Sequence, residues 1–422
     1  MVHDAPPDWP VMTLGEAGEW LSGGTPSKGT AEYWAGEVPW ASAKDMKVFE
    51  LRDTEDHITE TALTEGSQSV DAGTILIVVR GMILAHTFPV AIISRRMGFN
   101  QDIKAIRCNG QVDSRYLAHW LTSQQQQVLC KVTDTSHGTK RLDTRYLQQH
   151  AFPCPSLPEQ RAIAAVLDAA DAAIERTRAA VEAARRVKRG LVQQFFEAGL
   201  GRVSCADSPA AKPAKGWRLV QTGKVLLGEP KNGISPNTES GPPGFITFSI
   251  AAVRHGRVDL LNRDHWKYAR ISAAEADSYR LNRGDLLIVR GNANPDLVGK
   301  CGIVEEMPAD CIYPDILKRV HFDTSANGVD PRFAEIAWNH AVVHNQILKR
   351  AKTSNGTLKV NTRDVKQIVM PVPPRDVQER LVAIVRAAES LERSLTATLA
   401  AHEHLKRGLM QVLLTGRVRV PV

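Results

Sequence analysis

The chain has 422 residues, of which 43% are hydrophobic and 23% are charged, a composition typical of a protein that folds into two or more globular domains. It contains no apolar run of about 18 residues and no basic or apolar leader, so we expect neither a membrane protein nor a secreted one. The net charge of +7 is compatible with a nucleic-acid partner, and the six cysteines lack C-x-x-C spacing, which argues against structural zinc and favours reduced thiols in a cytoplasmic protein.

The first part of the chain, residues 1–152, combines short apolar runs with loops of small and basic residues. Residues 75–79 and 90–93 have the length and composition of buried strands. In the loops at residues 23–28 and 135–141, small residues allow the backbone to approach a phosphate or a base edge, and basic residues supply hydrogen bonds. Each loop alone is more typical of an ordinary surface turn. We therefore predict a β-rich mixed domain with two candidate binding loops.

In residues 153–200, the sequence predicts a proline-rich segment that ends the globular part, followed by one long helix. Many alanines and the absence of proline after residue 158 favour helix strongly. Apolar and small residues recur in alternating steps of four and three, which is the spacing of a coiled-coil seam: Ile163, Leu167, Ala170, Ile174, Thr177, Val181, Ala184, Lys188, Leu191 and Phe195. We expect a rod of roughly 57 Å that packs on another helix.

Residues 201–216, rich in serine, alanine and proline, have the composition of a linker, and after them the chain repeats itself. The period is about 218 residues, so a large unit has been duplicated. The strongest matches pair residues 136–139 with 354–357 and residues 188–191 with 406–409. We therefore predict two copies of one order of elements: a β-rich part, a stop, and a long helix.

The second copy consists of a globular part, residues 217–370, and a second long helix within residues 371–422. Residues 286–289 are its counterpart of the first buried run, and residues 353–359 are its counterpart of the basic loop. The seam has the same spacing as in the first helix: Leu381, Val385, Ala388, Glu392, Leu395, Leu399, His402, Lys406, Leu409 and Leu413. The polar members of this seam favour one defined register over an open polymer.

Three signatures occur together in this chain. The first is Ser-Gly-Gly-Thr-Pro-Ser at residues 22–27, followed by Tyr-Trp at residues 33–34; the second is Ser-x-Gly-Thr at residues 136–139, leading to Pro-x-Pro-x-x-Pro-Glu-Gln-Arg at residues 153–161. The third is the repetition of that module. In combination they resemble the specificity subunits of type I restriction-modification systems, although the second copy opens with Asn-Gly-Ile-Ser-Pro at residues 232–236 instead.

The resemblance implies an α+β fold with an internal pseudo-two-fold repeat. Two β-rich mixed target-recognition domains are separated by two long antiparallel coiled-coil helices. Each domain would read half of a bipartite site in double-stranded DNA, and the helices would bind two methyltransferase subunits, with motor-nuclease subunits in the full complex. The chain itself would be non-catalytic and hold no cofactor, because S-adenosylmethionine is expected on the methyltransferase.

We predict that the recurring loops and their flanks contact DNA, with no catalytic and no metal-binding residue in the chain. Gly138 and Gly356 are expected to serve backbone geometry rather than contact. The candidates in the first copy are Thr25, Ser27, Lys28, Arg80, Ser136, His137, Thr139, Lys140 and Arg141. Those in the second copy are Arg290, Asn292, Asn294, Ser354, Asn355, Thr357 and Lys359.

Two other functions remain open at the level of sequence. One is a self-sufficient modification or restriction enzyme with a cryptic active site, and the other is a coiled-coil scaffold that does not bind DNA. Against the first, residues 294–297 (Asn-Pro-Asp-Leu) lack the second proline and the aromatic residue of an adenine methyltransferase loop, and no Gly-rich phosphate cradle is present. For the second, footprinting of the chain with its methyltransferase would show no protected bipartite site.

Overall fold

The structure is a computed structural model that describes residues 6–135, 138–201, 213–254, 256–308, 310–325, 327–354 and 356–421. The chain divides into two compact units. Unit 1 consists of Met1–Ala179 and Leu395–Val422, and unit 2 consists of Ala180–Ser394. Each unit therefore contains one globular part and a portion of both long helices. Within the described ranges, no helix combines the length and the hydropathy needed to cross a membrane.

Unit 1 contains a five-stranded sheet in the order β2-β10-β7-β8-β4 and a four-stranded sheet in the order β5-β3-β9-β6. Its strands are β1 (Val11–Thr13), β2 (Gly18–Ser22), β3 (Val38–Ala41), β4 (Glu50–Leu51), β5 (Asp56–Ile58), β6 (Gln68–Val70), β7 (Ile75–Val78), β8 (Val90–Ile93), β9 (Met97–Phe99), β10 (Ile103–Cys108), β11 (Thr133–Asp134), β12 (Lys140–Arg141) and β13 (Ala151–Pro153). Its helices are α1 (Glu60–Gly66), α2 (Ser114–Ser123), α3 (Gln125–Leu129), α4 (Thr144–Gln148) and the first part of α5 (Leu157–Leu200).

The apolar runs of the first copy form the centre of this unit. Every residue of β7 is fully buried, as is expected of a central strand covered on both faces. The same core includes Tyr116 and Leu117 of α2, together with Ile163 and Leu167 of α5. The strands predicted at residues 75–79 and 90–93 are thus confirmed as β7 and β8.

Unit 2 contains a six-stranded sheet in the order β15-β24-β21-β23-β19-β18. Its strands are β14 (Arg218–Gln221), β15 (Lys231–Asn232), β16 (Thr238–Glu239), β17 (Phe245–Phe248), β18 (Val253–Arg254), β19 (Arg257–Val258), β20 (Trp266–Ala269), β21 (Leu286–Val289), β22 (Gly291–Asn292), β23 (Cys301–Ile303), β24 (Leu317–Val320), β25 (Lys352–Ser354), β26 (Thr357–Lys359) and β27 (Val369–Val372). Its helices are α6 (Ala273–Asp277), α7 (Pro331–Asn339), α8 (Ala341–Arg350), α9 (Thr362–Gln367) and part of α10 (Arg375–Leu413), beside the second part of α5.

The two main sheets are built in the same way. Strands β2, β10, β7 and β8 of the first copy follow one another in the same order as β15, β24, β21 and β23 of the second. In both copies the most deeply buried strand, β7 or β21, is the third strand of the sheet when the edge strand β2 or β15 is counted as the first. The predicted α+β class with an internal repeat is therefore confirmed.

In unit 1 the two long helices run antiparallel. Asp171 accepts hydrogen bonds from the Lys406 ammonium at 2.6 and 2.7 Å, and the hydroxyl of Thr177 lies 3.2 Å from Nδ1 of His402. The contact partner in α10 has a lower residue number as the residue number in α5 increases, so the two helices run in opposite directions. Met410 and Leu413 of α10 enter the core that holds Ile163 of α5.

In unit 2 the helices are also antiparallel and the polar seam position is paired. Glu392 accepts hydrogen bonds from Arg185 and Lys188 of α5, each at 2.8 Å. Phe196 of α5 and Leu381 of α10 lie in one buried cluster of this unit. The predicted seams are buried or half-buried at every position except Leu191, which is 38% exposed.

A buried glutamine fastens each globular part to its long helix. Gln160 accepts a hydrogen bond from the backbone N–H of Asp113 at 2.7 Å and donates to the carbonyl of Pro155 at 2.8 Å. Gln378 accepts from the N–H of Asp330 at 2.8 Å and donates to the carbonyl of Pro373 at 3.0 Å. The backbone groups at the start of α2 and α7 are satisfied in this way, so both copies share one rigid junction.

Candidate nucleic-acid interface

The Gly-Gly-Thr-Pro-Ser loop of the first copy is held by backbone contacts and by two tryptophans. The N–H of Gly24 donates to the carbonyl of Phe99 at 2.9 Å, and a side chain on Gly23 would place its Cβ 2.2 Å from that same oxygen. The indole of Trp40 donates to the Gly24 carbonyl, and that of Trp34 donates to the Ser27 carbonyl, both at 3.1 Å. The Gly and Trp residues of this signature therefore fix the loop and leave Ser27 exposed.

Arg80 and Gly81 connect segment 99–102 to the hairpin of β11 and β12. The N–H of Arg80 donates to the carbonyl of Asp102 at 3.2 Å, and the N–H of Gly81 donates to the carbonyl of Lys140 at 2.9 Å. Segment 99–102 also contacts the first loop, because the hydroxyl of Thr25 donates to Gln101 at 2.5 Å. The described part of the candidate loops thus converges around residues 99–102.

The second copy builds the same cluster from different residues. Gly233 stands where Gly23 does, since a Cβ there would lie 2.3 Å from the carbonyl oxygens of Tyr313 and Pro314. The N–H of Arg290 donates to the carbonyl of Ile316 at 2.8 Å, and Gly291 pairs with Lys359 across β22 and β26. The two copies therefore share a loop arrangement that their opening signatures do not show.

The candidate cations fall into two groups. Lys140 is 2.7 Å from Asp134 and Arg290 is 2.5 Å from Asp315, so both charges are neutralised within their own loops. For the other candidate cations no ion pair occurs inside the described ranges, and all are exposed: Lys28, Arg80, Arg141 and Lys359. These exposed cations can reach a phosphate without first breaking an ion pair.

Several of the polar candidates shape the backbone. Asn292 accepts from the N–H of Asn294 at 2.8 Å, and Asn294 accepts from the N–H of Asp296 at 2.9 Å, which are the contacts of successive Asx turns. Thr139 and Thr357 are half-buried in the two hairpins. Gly138 and Gly356 have φ of +75° and +71°, which confirms their expected backbone role. Ser136, His137 and Asn355 lie outside the described residues, as does the side chain of Ser354.

The sequence did not indicate a lysine contact that recurs in both copies. Lys104 of β10 donates to the hydroxyl of Ser22, its directly opposed residue in β2. Lys318 of β24 donates to Oδ1 of Asn232, its directly opposed residue in β15, at 2.5 Å. The strand register brings each lysine to its partner, and this register could not be read from the sequence. The partners Ser22 and Asn232 immediately precede the closely packed glycines Gly23 and Gly233.

Lys318 is an unusual residue for the interior. It is 2% exposed, and its ammonium makes a second hydrogen bond to the hydroxyl of Thr362 at 2.8 Å. Burial lowers the pKa of Lys318, and the nearby Arg290 guanidinium lowers it further. Among the described residues this ammonium forms no ion pair, and its two hydrogen-bond acceptors are neutral, while the more distant Asp315 carboxylate raises its pKa slightly.

The described ranges contain no group of three or more His, Cys, Asp or Glu side chains that could hold a metal ion. The described cysteines are free thiols: Cys108, Cys130, Cys154, Cys301 and Cys311. Burial raises the pKa of the Cys108 and Cys311 thiols to about 12.

Comparison with known proteins gives the family of the first copy. The model of the type I restriction modification DNA specificity domain matches residues 6–183, which contain the first loop cluster and the first part of α5. Residues 6–183 belong to the type I restriction-modification specificity domain family. The resemblance to specificity subunits that the sequence motifs indicated is thereby confirmed.

The curated proteins to which this chain is similar include specificity subunits of type I restriction enzymes. It is 37% identical over 161 residues to the EcoR124I/EcoR124II specificity subunit of Escherichia coli, covering 38% of this chain and 40% of the relative. It is 26% identical over 281 residues to the EcoKI specificity subunit of Escherichia coli (strain K12), covering 63% and 57%. These two matches thus span about half the length of the curated relatives.

A solved structure extends the likeness of fold to the second copy. The type I restriction-modification S subunit from M. genitalium superposes with a TM-score of 0.58 at 14% identity, covering 96% of each chain. At that level of identity the likeness concerns the fold alone. The fold of this chain, with its two copies, is thus similar to the fold of that S subunit.

Proposed function

We propose that this chain is the DNA-reading specificity subunit of a type I restriction-modification complex. Each globular part reads one half of a bipartite site in double-stranded DNA. The observation that carries the proposal is the recurrence of one loop cluster in both copies, with a closely packed glycine, a lysine that holds the residue before it, and exposed cations in each. Two equivalent clusters with different side chains are suited to reading two different half-sites.

In this proposal the long helices carry the partners. Large apolar side chains are exposed on α5 and α10 in unit 2: Val187 at 59%, Ile384 at 46% and Leu391 at 54%. Covering such residues on binding favours association by the hydrophobic effect. We propose that two methyltransferase subunits dock on these helices, that they bring S-adenosylmethionine, and that motor-nuclease subunits join them in the full complex. The chain itself then supplies recognition and no catalytic group.

Substitution of the exposed cations tests DNA binding. Arg80→Ala, Arg141→Ala and Lys359→Ala should each weaken binding of the complex to its site, because each removes one cation that neutralises a phosphate. The slope of log K against log salt concentration should become shallower by about 0.9 for each phosphate that is no longer neutralised. Lys140→Ala should have a smaller effect, since its charge is already engaged by Asp134. The measurement is a binding titration at several salt concentrations.

Arg95→Ala is the matched control. Arg95 is exposed and follows β8, whose C-terminal end pairs with the start of β7, whereas Arg80 follows the end of β7. It thus lies at the other end of the sheet and should leave affinity and salt slope unchanged. Unchanged affinity in all three test variants would refute the loop assignment, and absence of a protected bipartite sequence in footprints of the complex would refute the proposed function.

A further inference from the structure

The recurring lysine contact makes a specific prediction about which residues read bases. Ser22 and Asn232 occupy the same place in the two copies: each ends an edge strand and precedes the closely packed glycine, and each is exposed. Each accepts a hydrogen bond from the opposed lysine of the adjacent strand, Lys104 or Lys318. The lysine is thus kept between copies while the side chain that it holds differs.

A lysine ammonium can only donate, and this fixes how its partner is oriented. Asn232 must turn its carbonyl oxygen to Lys318, so its amide nitrogen keeps two N–H donors for another molecule. Ser22, whose oxygen accepts from Lys104, keeps one O–H donor and one lone pair. The same scaffold therefore presents a donor-only group in one copy and a group that can donate or accept in the other.

The burial of Lys318 suggests that the orientation it gives to the Asn232 amide serves a function. A buried ammonium with no carboxylate at ion-pair distance in the described ranges is unfavourable, and an apolar residue there would fit the core better. Near the position, the Arg290 guanidinium lowers the pKa of Lys318 and the Asp315 carboxylate raises it, and Arg363, which is exposed, follows Thr362 in α9. The exposed Arg363 can reach a phosphate beside a base that Asn232 contacts.

We propose that Asn232 and Ser22 are specificity-determining residues for the two half-sites, with Lys318 and Lys104 as the positioning residues that orient them. This inference rests on the proposed function. The Asn232 amide donates to an acceptor on a base edge, such as N7 or O6 of guanine, N7 of adenine or O4 of thymine. The Ser22 hydroxyl accepts from or donates to a base of the other half-site.

The experiment selects bound sequences from a randomised bipartite DNA library, using the chain in complex with its methyltransferase subunits. Asn232→Ser should change the preferred base at one or two positions of one half-site and leave the other half-site unchanged. Ser22→Asn should do the reverse. Asn232→Asp keeps an acceptor for Lys318 but removes the outward donors, so we expect about tenfold loss of discrimination at the affected position.

Two further variants separate reading from folding. Asn327→Ser is the matched control, because Asn327 is exposed in the loop before α7 of the same unit, and it should change neither half-site. Lys318→Met should broaden the preference at the position that Asn232 reads, and Lys318→Arg, which keeps the donors, should restore it. The half-site of the first copy serves as the internal measure of a folded complex.

The outcomes distinguish this inference from the function on which it rests. Unchanged consensus sequences for both Asn232→Ser and Ser22→Asn would overturn the assignment of these residues while leaving the bipartite reading intact. If the unmodified complex selects no bipartite consensus at all, the proposed function fails and the assignment fails with it. A change confined to the expected half-site in each variant would establish both.

Discussion

At the scale of single residues, His340 of unit 2 is a neutral imidazole built into the helix junction. Its ring stacks on Phe196 with centroids 4.5 Å apart, and Nε2 lies 2.8 Å from the side-chain oxygen of Gln193. The N–H of Val342 donates to Nδ1, so the imidazole caps α8 while it donates through Nε2. Burial lowers the pKa of His340 to about 4, and the Lys300 ammonium contributes to that shift.

This shift predicts a loss of stability in mild acid. The unfolded chain takes up a proton at His340 near pH 6.5, whereas the folded chain does so only near pH 4, so stability falls as the pH decreases between these values. We expect this residue to account for about 2–3 kcal/mol of that loss. Urea unfolding of His340→Asn from pH 7 to pH 4 should show a shallower decline than the unmodified chain. His404→Asn, at an exposed position of α10, is the control, and an identical decline for His340→Asn would contradict the prediction.

The sequence predicted part of the candidate site at this scale. Repetition identified the hairpin loops, because those residues recur at matched spacing. It could not show that Lys140 and Arg290 are engaged by Asp134 and Asp315, or that Lys318 meets Asn232, because those contacts depend on strand register. Polar residues that merely bend the backbone, such as Asn292, have the same composition as residues that bind.

At the scale of elements, the long helices were the most predictable feature. Their heptad spacing and alanine content predicted both rods, which the structure confirms as α5 and α10. The polar seam members each have a partner on the opposite helix: Glu392 with Arg185 and Lys188, His402 with Thr177, and Lys406 with Asp171. These pairings were beyond prediction, because spacing within one helix does not reveal the offset between two.

The Lys406–Asp171 pair gives a test of that offset. Lys406→Glu should destabilise unit 1 by about 2 kcal/mol, because it places a second carboxylate beside Asp171 in a half-buried seam. The double variant Lys406→Glu, Asp171→Lys should recover at least about 1 kcal/mol of that loss. Denaturant unfolding of the single and double variants measures the coupling.

A surface pair supplies the comparison. Arg380 and Asp376 of α10 are both about 70% exposed, so Arg380→Glu should change stability by less than about 0.5 kcal/mol. Independent, additive effects of the Lys406 and Asp171 substitutions would contradict the antiparallel pairing described for unit 1.

At the scale of the whole molecule, both long helices pass from one compact unit to the other. The division falls after Ala179 in α5 and after Ser394 in α10. Inserting one heptad at each of these points preserves the phase of both seams and lengthens each rod by about 10 Å. Under the proposed function, the unread gap between the half-sites should lengthen while both half-sites keep their sequence.

Methylation mapping or footprinting of the complex measures this change. Seven residues inserted into the linker, residues 201–216, are the matched control, because they add the same length of chain without lengthening α5 or α10. That control should leave the gap as it was. Altered half-sites with an unchanged gap in the heptad variant would refute the spacer role of the helices.

Unit 2 is one continuous stretch of chain, whereas unit 1 needs Leu395–Val422 to complete it. Met410, Leu413 and Leu414 from that last stretch are buried against Ile163 and Leu167 in the core of unit 1. A ribosome making this chain therefore releases the later unit in a form that can close first. The hydrophobic face of the earlier unit that these three residues cover stays open until residues 395–422 have been synthesised.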